Sequence, residues 1–241
     1  MELAAGIIPA RYNSQRFPGK PLALILGKPM IQRVYEQVKT AKFLNRIIIA
    51  TDDERILRAC EAFGAESWMT SPHHNSGTER AAEIAGRIKT PIVINIQGDE
   101  PTIRGKMIDD LVVALQDKTI PMATIAAKIT DMSLFNEKNI VKVALDKNAF
   151  ALYFSRSPLP FGAADHFYQH IGIYGYQKDF LLGFSHLPAS MLEETEKLEQ
   201  LRVLESGYRI KVVESQFSTL SIDSPQDIIK VENLIKGRTD D

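Results

Sequence analysis

Four short stretches of the chain combine residues that can hold anions, metal ions or sugars. PARYNSQRFPGKPL (residues 9–22) places three cations, Arg11, Arg16 and Lys20, around Gly19. Anionic phosphates need charge and backbone N–H groups with little bulk near them, and a turn at Gly19 would expose such groups. The spacing is not G-x-x-x-x-G-K-[ST], so this is not a P-loop, and the same composition also makes a solvated basic loop. SGTER (76–80) offers hydroxyls and bare backbone just before a helix, which suits an anion or a sugar. Its other reading is ordinary capping by Thr78 with Glu79 beside it. QGDEP (97–101) follows an apolar run, and Asp99 could hold a Mg²⁺ that keeps waters and substrate phosphates in its shell, or could simply close a polar turn. SIDSP (221–225) repeats the pattern: Asp223 could be a second carboxylate for the same metal, or could support the helix that Ser224 and Pro225 start. The adjacent His73 and His74 have no clear partner cluster and stay unassigned.

Two further clusters are less specific. In HIGIYGY (170–176), period-2 alternation puts His170, Gly172, Tyr174 and Tyr176 on one face of a strand. In LEETEKLEQLRVLESG (192–207), read as one helix, Glu199 faces solvent and Gln200, beside an apolar stripe, points toward a cleft. Either cluster could also be the edge of a core.

These residues need elements to position them. Residues 3–9, 46–51 and 91–97 read as buried strands, and RIIIAT (46–51) is the β-branched apolar run expected of a strand covered on both faces. MIQRVYEQVKTA places Met30, Ile31, Val34, Tyr35 and Val38 on one helical face, and Asp52 or Asp53 caps a helix that ends near Gly64. ESWMT reads as a short strand, TERAAEIAGRI and 104–116 as helices. The alternation over the first ~115 residues implies a mainly parallel sheet with helices on both faces, hence an α/β fold whose ligands collect beyond the carboxyl ends of the strands. The second half is less regular: MATIAAKI, VKVALD, FALYFSR, HIGIYGYQ, RIKVVES and TLSID read as strands, with a hairpin turn at Asp146-Lys147-Asn148. Residues 120–175 look like an antiparallel insertion suited to a subunit contact, within one domain spanning 1–241.

Composition narrows the classes. The 241 residues carry 29 basic and 30 acidic side chains, a net charge of −1, with no basic stripe to mark a nucleic-acid binder. One cysteine, Cys60, excludes an internal disulfide and reads as buried filler. No apolar run is long enough to span a membrane, and MELAAGIIPAR lacks the form of a secretory signal, so a cytoplasmic protein is expected.

Taken in order, PARYNSQRFPGKPL, Thr51-Asp52, SGTER, NIQGDEP, YFSR (153–156), HIGIYGY, LEQLR (198–202) and IDSP-x-D resemble the 3-deoxy-manno-octulosonate (Kdo) cytidylyltransferases of lipopolysaccharide biosynthesis. The resemblance runs along essentially the whole chain. It implies a three-layer, Rossmann-like nucleotidyltransferase fold with an antiparallel dimerisation insertion, and a homodimer. It implies that the anomeric 2-hydroxyl of Kdo attacks the α-phosphate of CTP, with Mg²⁺ on Asp99 and Asp223. Arg11 and Lys20 would hold the triphosphate, and Ala10, Ser14 and Gly19 would shape the loop. Ser76, Thr78 and Arg80 would line the nucleotide end, and Gln97 the ribose or sugar side. Arg156, His170, Tyr174, Glu199 and Gln200 would contact Kdo. Catalysis would rest on Arg11, Lys20, Asp99 and Asp223. The loop departs from the more usual Ala-Ser-Thr-Arg-Leu form, reading Tyr-Asn-Ser-Gln-Arg-Phe but keeping its cations. A related acid sugar (8-amino-Kdo or a sialic-type nonulosonate) would leave the phosphate half unchanged. A non-catalytic nucleotide-binding module would have no need of Lys20 or the two aspartates.

Overall fold

The computed structural model describes residues 3–13, 17–188 and 190–237, which leaves Ser14 and Arg16 of the opening loop outside the described residues. In chain order the strands and helices are β1 (Ala4–Ala10), β2 (Leu24–Ile25), β3 (Lys28–Pro29), α1 (Met30–Val38), β4 (Arg46–Thr51), α2 (Glu54–Ala62), β5 (Ser67–Met69), α3 (Gly77–Arg87), β6 (Ile92–Ile96) and α4 (Gly105–Ala114). They continue with β7 (Met122–Ile129), β8 (Lys142–Leu145), β9 (Ala151–Ser155), β10 (Phe167–Gln177), α5 (Lys178–Gly183), α6 (Met191–Glu196), α7 (Gln200–Glu205), β11 (Ile210–Ser215) and α8 (Pro225–Gly237). They form two compact units, one of residues 1–109 with 219–241, the other of residues 110–218.

In the first unit β1 lies between β4 and β6, with Ile8 opposite Ile49 and Gly6 opposite Ile94, and β5 extends the sheet beyond β4, all parallel. This is the architecture the apolar runs imply: a strand covered on both faces carries no polar alternation, and Ile7, Ile8, Ile48, Ile49, Val93 and Ile94 are all fully buried. α1 buries Met30, Ile31, Val34 and Val38, while Tyr35 stays half-buried and meets the Phe63 ring at 5.6 Å. Asp53 caps α2 by accepting from Arg55 N, and Gly64 follows the helix with a left-handed φ of +72°. Cys60 is buried, and burial pushes its thiol up to about 12.

In the second unit β7 pairs antiparallel with β10 and parallel with β11, and the β8–β9 hairpin joins through β8 to β10. The hairpin turns where Asp146 is expected to turn it: its carboxylate accepts from Asn148 N and Phe150 N.

Three expectations need correction. TLSID (219–223) is irregular and joins no ladder; it is held by single bonds instead, Leu220 N to Thr102 Oγ1 (2.8 Å) and Ile222 N to Asp99 O (3.0 Å). Residues 192–207 are two short helices, because Lys197 sits in the left-handed region (φ 57°, ψ 45°) between α6 and α7. That break lets Leu198 turn inward to 6% exposure. Finally, β10 is not a plain strand. Its register against β7 passes from Ile171–Ile125 directly to Tyr174–Thr124, so two extra residues stand out of the ladder. An even insertion preserves the alternation, which is why His170 and Tyr174 still share a face, their rings 5.4 Å apart.

Candidate active site

At the carboxyl ends of β1 and β6 lies a cavity of about 550 Å³, a volume suited to a small-molecule ligand. Four segments of the first unit wall it: Pro9–Arg11 with Asn13, Lys20 and Pro21; His74–Gly77 with Arg80; Gln97–Asp99; and Asp223. Ala10, Arg11, Lys20, Ser76, Arg80, Gln97, Asp99 and Asp223, eight residues chosen from sequence motifs, thus meet in one place.

Each is there for a local reason. Gly19, at φ +72°, starts a short 3₁₀ turn (Lys20–Leu22) that turns Lys20 toward the cavity. Phe17 packs with Ile25, Met30, Ile222 and Val231, so one apolar cluster under α8 anchors both the opening loop and the segment that carries Asp223. Lys20 Nζ donates to Asp99 Oδ2 at 2.5 Å and to Ile222 O at 2.7 Å, bridging chain regions that are 202 positions apart. Gly98 is required by contact: a Cβ there would stand 2.7 Å from Pro9 O. Asp223 is set by the start of α8, where Asp227 Oδ2 accepts from Asp223 N (3.2 Å), Ser224 N (3.0 Å) and Ser224 Oγ (2.8 Å).

The other end of the cavity is built on α3. Ser76, not Thr78, is the cap: its hydroxyl accepts from Glu79 N, and Glu79 Oε2 accepts from Asn75 N at 2.8 Å. The first N–H groups of α3 and its dipole thus favour an anion at Ser76–Gly77. Thr78 is turned away from the cavity, 2% exposed, with Asn95 Nδ2 3.4 Å from its oxygen. Arg80 lines the wall, but much of its guanidinium is engaged. It donates to Asp52 Oδ2 at 2.8 Å and to Thr70 Oγ1, and is only 3% exposed. His74, unassigned from sequence, also lines the wall and sits 2.5 Å from Glu83 Oε2. Its partner is nine residues on, one to two turns into a helix whose start a loop composition does not reveal.

Carboxylates dominate the end near α8. Glu100, passed over in the sequence, is 7% exposed. Burial first, and then the charge of Asp99, pushes its carboxyl up to about 8; a Thr219 hydrogen bond opposes this, Asp223 adds to it and Lys20 offsets part. A buried neutral acid therefore lies behind two aspartates that wall the cavity. Asp99 and Asp223 are hard oxygen donors beside open volume, and an ammonium already rests on one of them. That donor set fits a Mg²⁺ that completes its shell with waters and phosphate oxygens. Among the described residues no cluster of three or more His, Cys, Asp or Glu forms a closed protein cage for a metal.

The remaining candidates belong to the second unit. Tyr174 Oη donates to Gln200 Oε1 at 3.1 Å, and both side chains are buried. Burial, then the charge of Glu199, holds the Tyr174 hydroxyl far above its usual range. Burial pushes His170 down to about 3, so it is neutral, with Nε2 2.9 Å from Thr124 Oγ1. Glu199 is not mid-helix but the residue before α7, and Gln200 points inward, as its apolar neighbours imply. Arg156 is not part of this hydrogen-bonded group: its guanidinium donates to the main-chain carbonyls of Glu196 (3.0 Å) and Lys138 (3.2 Å).

Residues 5–211 match the family model described as "Cytidylyltransferase". The 3-deoxy-manno-octulosonate cytidylyltransferase of Syntrophotalea carbinolica is 48% identical over 244 residues, covering 96% of this chain and 98% of that one. The protein of the same name from Syntrophobacter fumaroxidans is 52% identical over 232 residues, covering 92% and 93%. Among solved structures, CMP:2-keto-3-deoxy-manno-octonic acid synthetase complexed with CTP superposes with a TM-score of 0.92 at 40% identity, covering 97% of this chain and 98% of that one. Its likeness extends to the mixed, mostly parallel sheet with helices and small antiparallel strands. With near-complete coverage in both directions, the chain belongs to the 3-deoxy-manno-octulosonate cytidylyltransferase family.

Proposed function

We propose that the protein transfers CMP from CTP to the anomeric 2-hydroxyl of Kdo and releases pyrophosphate. The observation that carries this reading is the cavity itself. Arg11 and Lys20, the α3 N-terminus and the Asp99–Asp223 pair face one volume, which is what a triphosphate and a divalent cation need.

Phosphoryl transfer asks mainly for positioning and charge neutralisation. Arg11 and Lys20 bind triphosphate oxygens, and Ser76 and Gly77 present backbone N–H groups toward the nucleotide. The sugar hydroxyl oxygen forms a bond to the α-phosphorus as the bond to the β-phosphate breaks. Asp99 takes the hydroxyl proton, directly or through water. Asp99 and Asp223 would hold Mg²⁺, which when bound neutralises phosphate charge and acidifies the hydroxyl. Tyr174, Gln200 and His170 are the groups assigned to the sugar. Their desolvated hydrogen-bonding atoms, including Gln200 Nε2, which has no partner among the described residues, suit recognition of hydroxyls.

The test is CTP-dependent pyrophosphate release with Kdo, 8-amino-Kdo and N-acetylneuraminate, with and without Mg²⁺. Turnover of Kdo is expected; an inert Kdo beside an active second acid would overturn the assignment. A homodimer through the strand-rich residues 120–175 is part of the same reading, on the family likeness. Sedimentation showing only a 27.0 kDa species would refute it. Among the described residues no helix is long and apolar enough to cross a membrane. A cytoplasmic location agrees with that and is checked by fractionation.

A further inference from the structure

Tyr12 stands in the opening loop, and the structure gives its side chain a task. Tyr12 is not in the cavity wall, but its neighbours Arg11 and Asn13 are, and so is Lys20. Tyr12 O accepts from Gly19 N at 2.9 Å, which ties the two ends of the loop together. The ring covers Gly19 on one side: a Cβ added there would lie 3.1 Å from the Tyr12 hydroxyl and 3.3 Å from Cε2. Arg55 of α2 packs over the ring with its guanidinium carbon 3.3 Å from the centroid. Asp53 holds that guanidinium through Nε (2.9 Å) and Nη2 (2.6 Å), and the same carboxylate caps α2. Asp53 N in turn donates to Thr51 Oγ1 (3.2 Å) at the end of β4. A continuous chain of contacts thus runs from β4 and the start of α2 to the base of the loop that carries Arg11 and Lys20.

We propose that Tyr12 and Arg55 are positioning residues that brace the phosphate-binding loop, setting Arg11, Asn13 and Lys20 for the nucleotide triphosphate without touching it. A planar guanidinium forked onto a carboxylate can lie flat on a ring, and an ammonium cannot reproduce that geometry. The brace therefore needs an arginine at 55 and an aromatic ring at 12. It does not need the Tyr12 hydroxyl, for which a phenylalanine suffices.

This inference rests on the CTP reading above, and the experiment separates the two. CTP affinity is measured by calorimetry, and kcat and KM for CTP and Kdo by pyrophosphate release. The proteins are the wild type, Arg55→Ala, Arg55→Lys, Tyr12→Ala and Tyr12→Phe, with the melting temperature of each as a control for folding. Arg55→Ala and Tyr12→Ala are expected to weaken CTP binding and raise its KM about fivefold, the worth of one partly exposed cation–π contact, and to leave the KM for Kdo unchanged. Arg55→Lys should fail to restore the affinity, and Tyr12→Phe should retain it. Unchanged CTP affinity in Arg55→Ala, or a Tyr12→Phe as weak as Tyr12→Ala, would overturn the brace. So would equal rises in both KM values. Wild-type protein that binds no CTP would overturn the functional reading and the brace together.

Discussion

Replacing His170 by Gln tests how deeply the proposed sugar-side group is withdrawn from water. The imidazole is 8% exposed, edge-on to Phe154 at 5.0 Å and beside Tyr174. The Thr124 hydroxyl lies 2.8 Å from Ile173 O and 2.9 Å from His170 Nε2. A carbonyl can only accept, so the hydroxyl proton goes to Ile173, and His170 carries its own proton on Nε2 and donates to Thr124. Adding a second proton would place a charge in an apolar setting, and burial lowers the pKa to about 3. In the unfolded chain the same group takes its proton near ~6.5. Above that value neither state binds it. Below it the unfolded state alone is protonated until the folded value is reached, so stability is full above about 6.5 and falls with pH through the window down to about 3. The limiting slope is about 1.4 kcal/mol per pH unit, and because the unfolded group is already half titrated at pH 6.5, the loss between roughly pH 6.5 and 4.5 is about 2.3 kcal/mol. Urea unfolding followed by Trp68 fluorescence over that range measures it for both proteins. His170→Gln cannot titrate, and the remaining groups act alike in both proteins, so the wild type should lose about 2.3 kcal/mol relative to the variant over that range. Parallel stability curves would refute the reasoning.

Three other changes probe the cavity. Gly98→Ala drives a Cβ into Pro9 O, which belongs to a central strand and cannot swing aside; a loss of about 1–3 kcal/mol is expected, seen as a lower melting temperature, with turnover falling as Asp99 shifts. Asp99→Asn should cut turnover about a hundredfold or more while calorimetry still detects CTP binding. An active Asn variant would remove Asp99 from the chemistry. Arg80→Ala leaves Asp52 without its buried partner and should cost about 3 kcal/mol in urea unfolding, part of it recovered in the Asp52→Ala/Arg80→Ala double variant. Additive losses would show that the pair does not couple.

The sequence disclosed those parts of the site that follow from short-range rules. Ile7–Ile8, Ile47–Ile49 and Val93–Ile94 have to be buried strands because nothing in them tolerates water. Asp99 follows such a strand directly, so its place at the ligand edge could be read, and the motif order supplied Asp223. What escaped depends on contacts between distant segments. Glu100 is adjacent to Asp99, yet its burial goes with a hydrogen bond to Thr219, more than a hundred positions along the chain. TLSID alternates like a strand, but Asp99 O and Thr102 take its hydrogen bonds one at a time. The choice of Ser76 over Thr78 as the cap turns on where the first helical residue falls, a matter of one or two positions. The left-handed Lys197 has no local signal, since neither Gly nor Asn stands there.

The bridge from Lys20 to Ile222 and Asp99 has a consequence for what holds the cavity together. Almost all of the cavity wall is encoded before residue 100, but Asp223 and the α8 anchor come at the far end of the chain. The opening loop therefore takes its supports from both ends of the chain, from β1 before it and from Ile222 and Val231 some two hundred positions on. Removing α8 would take Val231 from the cluster that holds both Phe17 and Ile222, and so would loosen the opening loop and the Asp223 segment together.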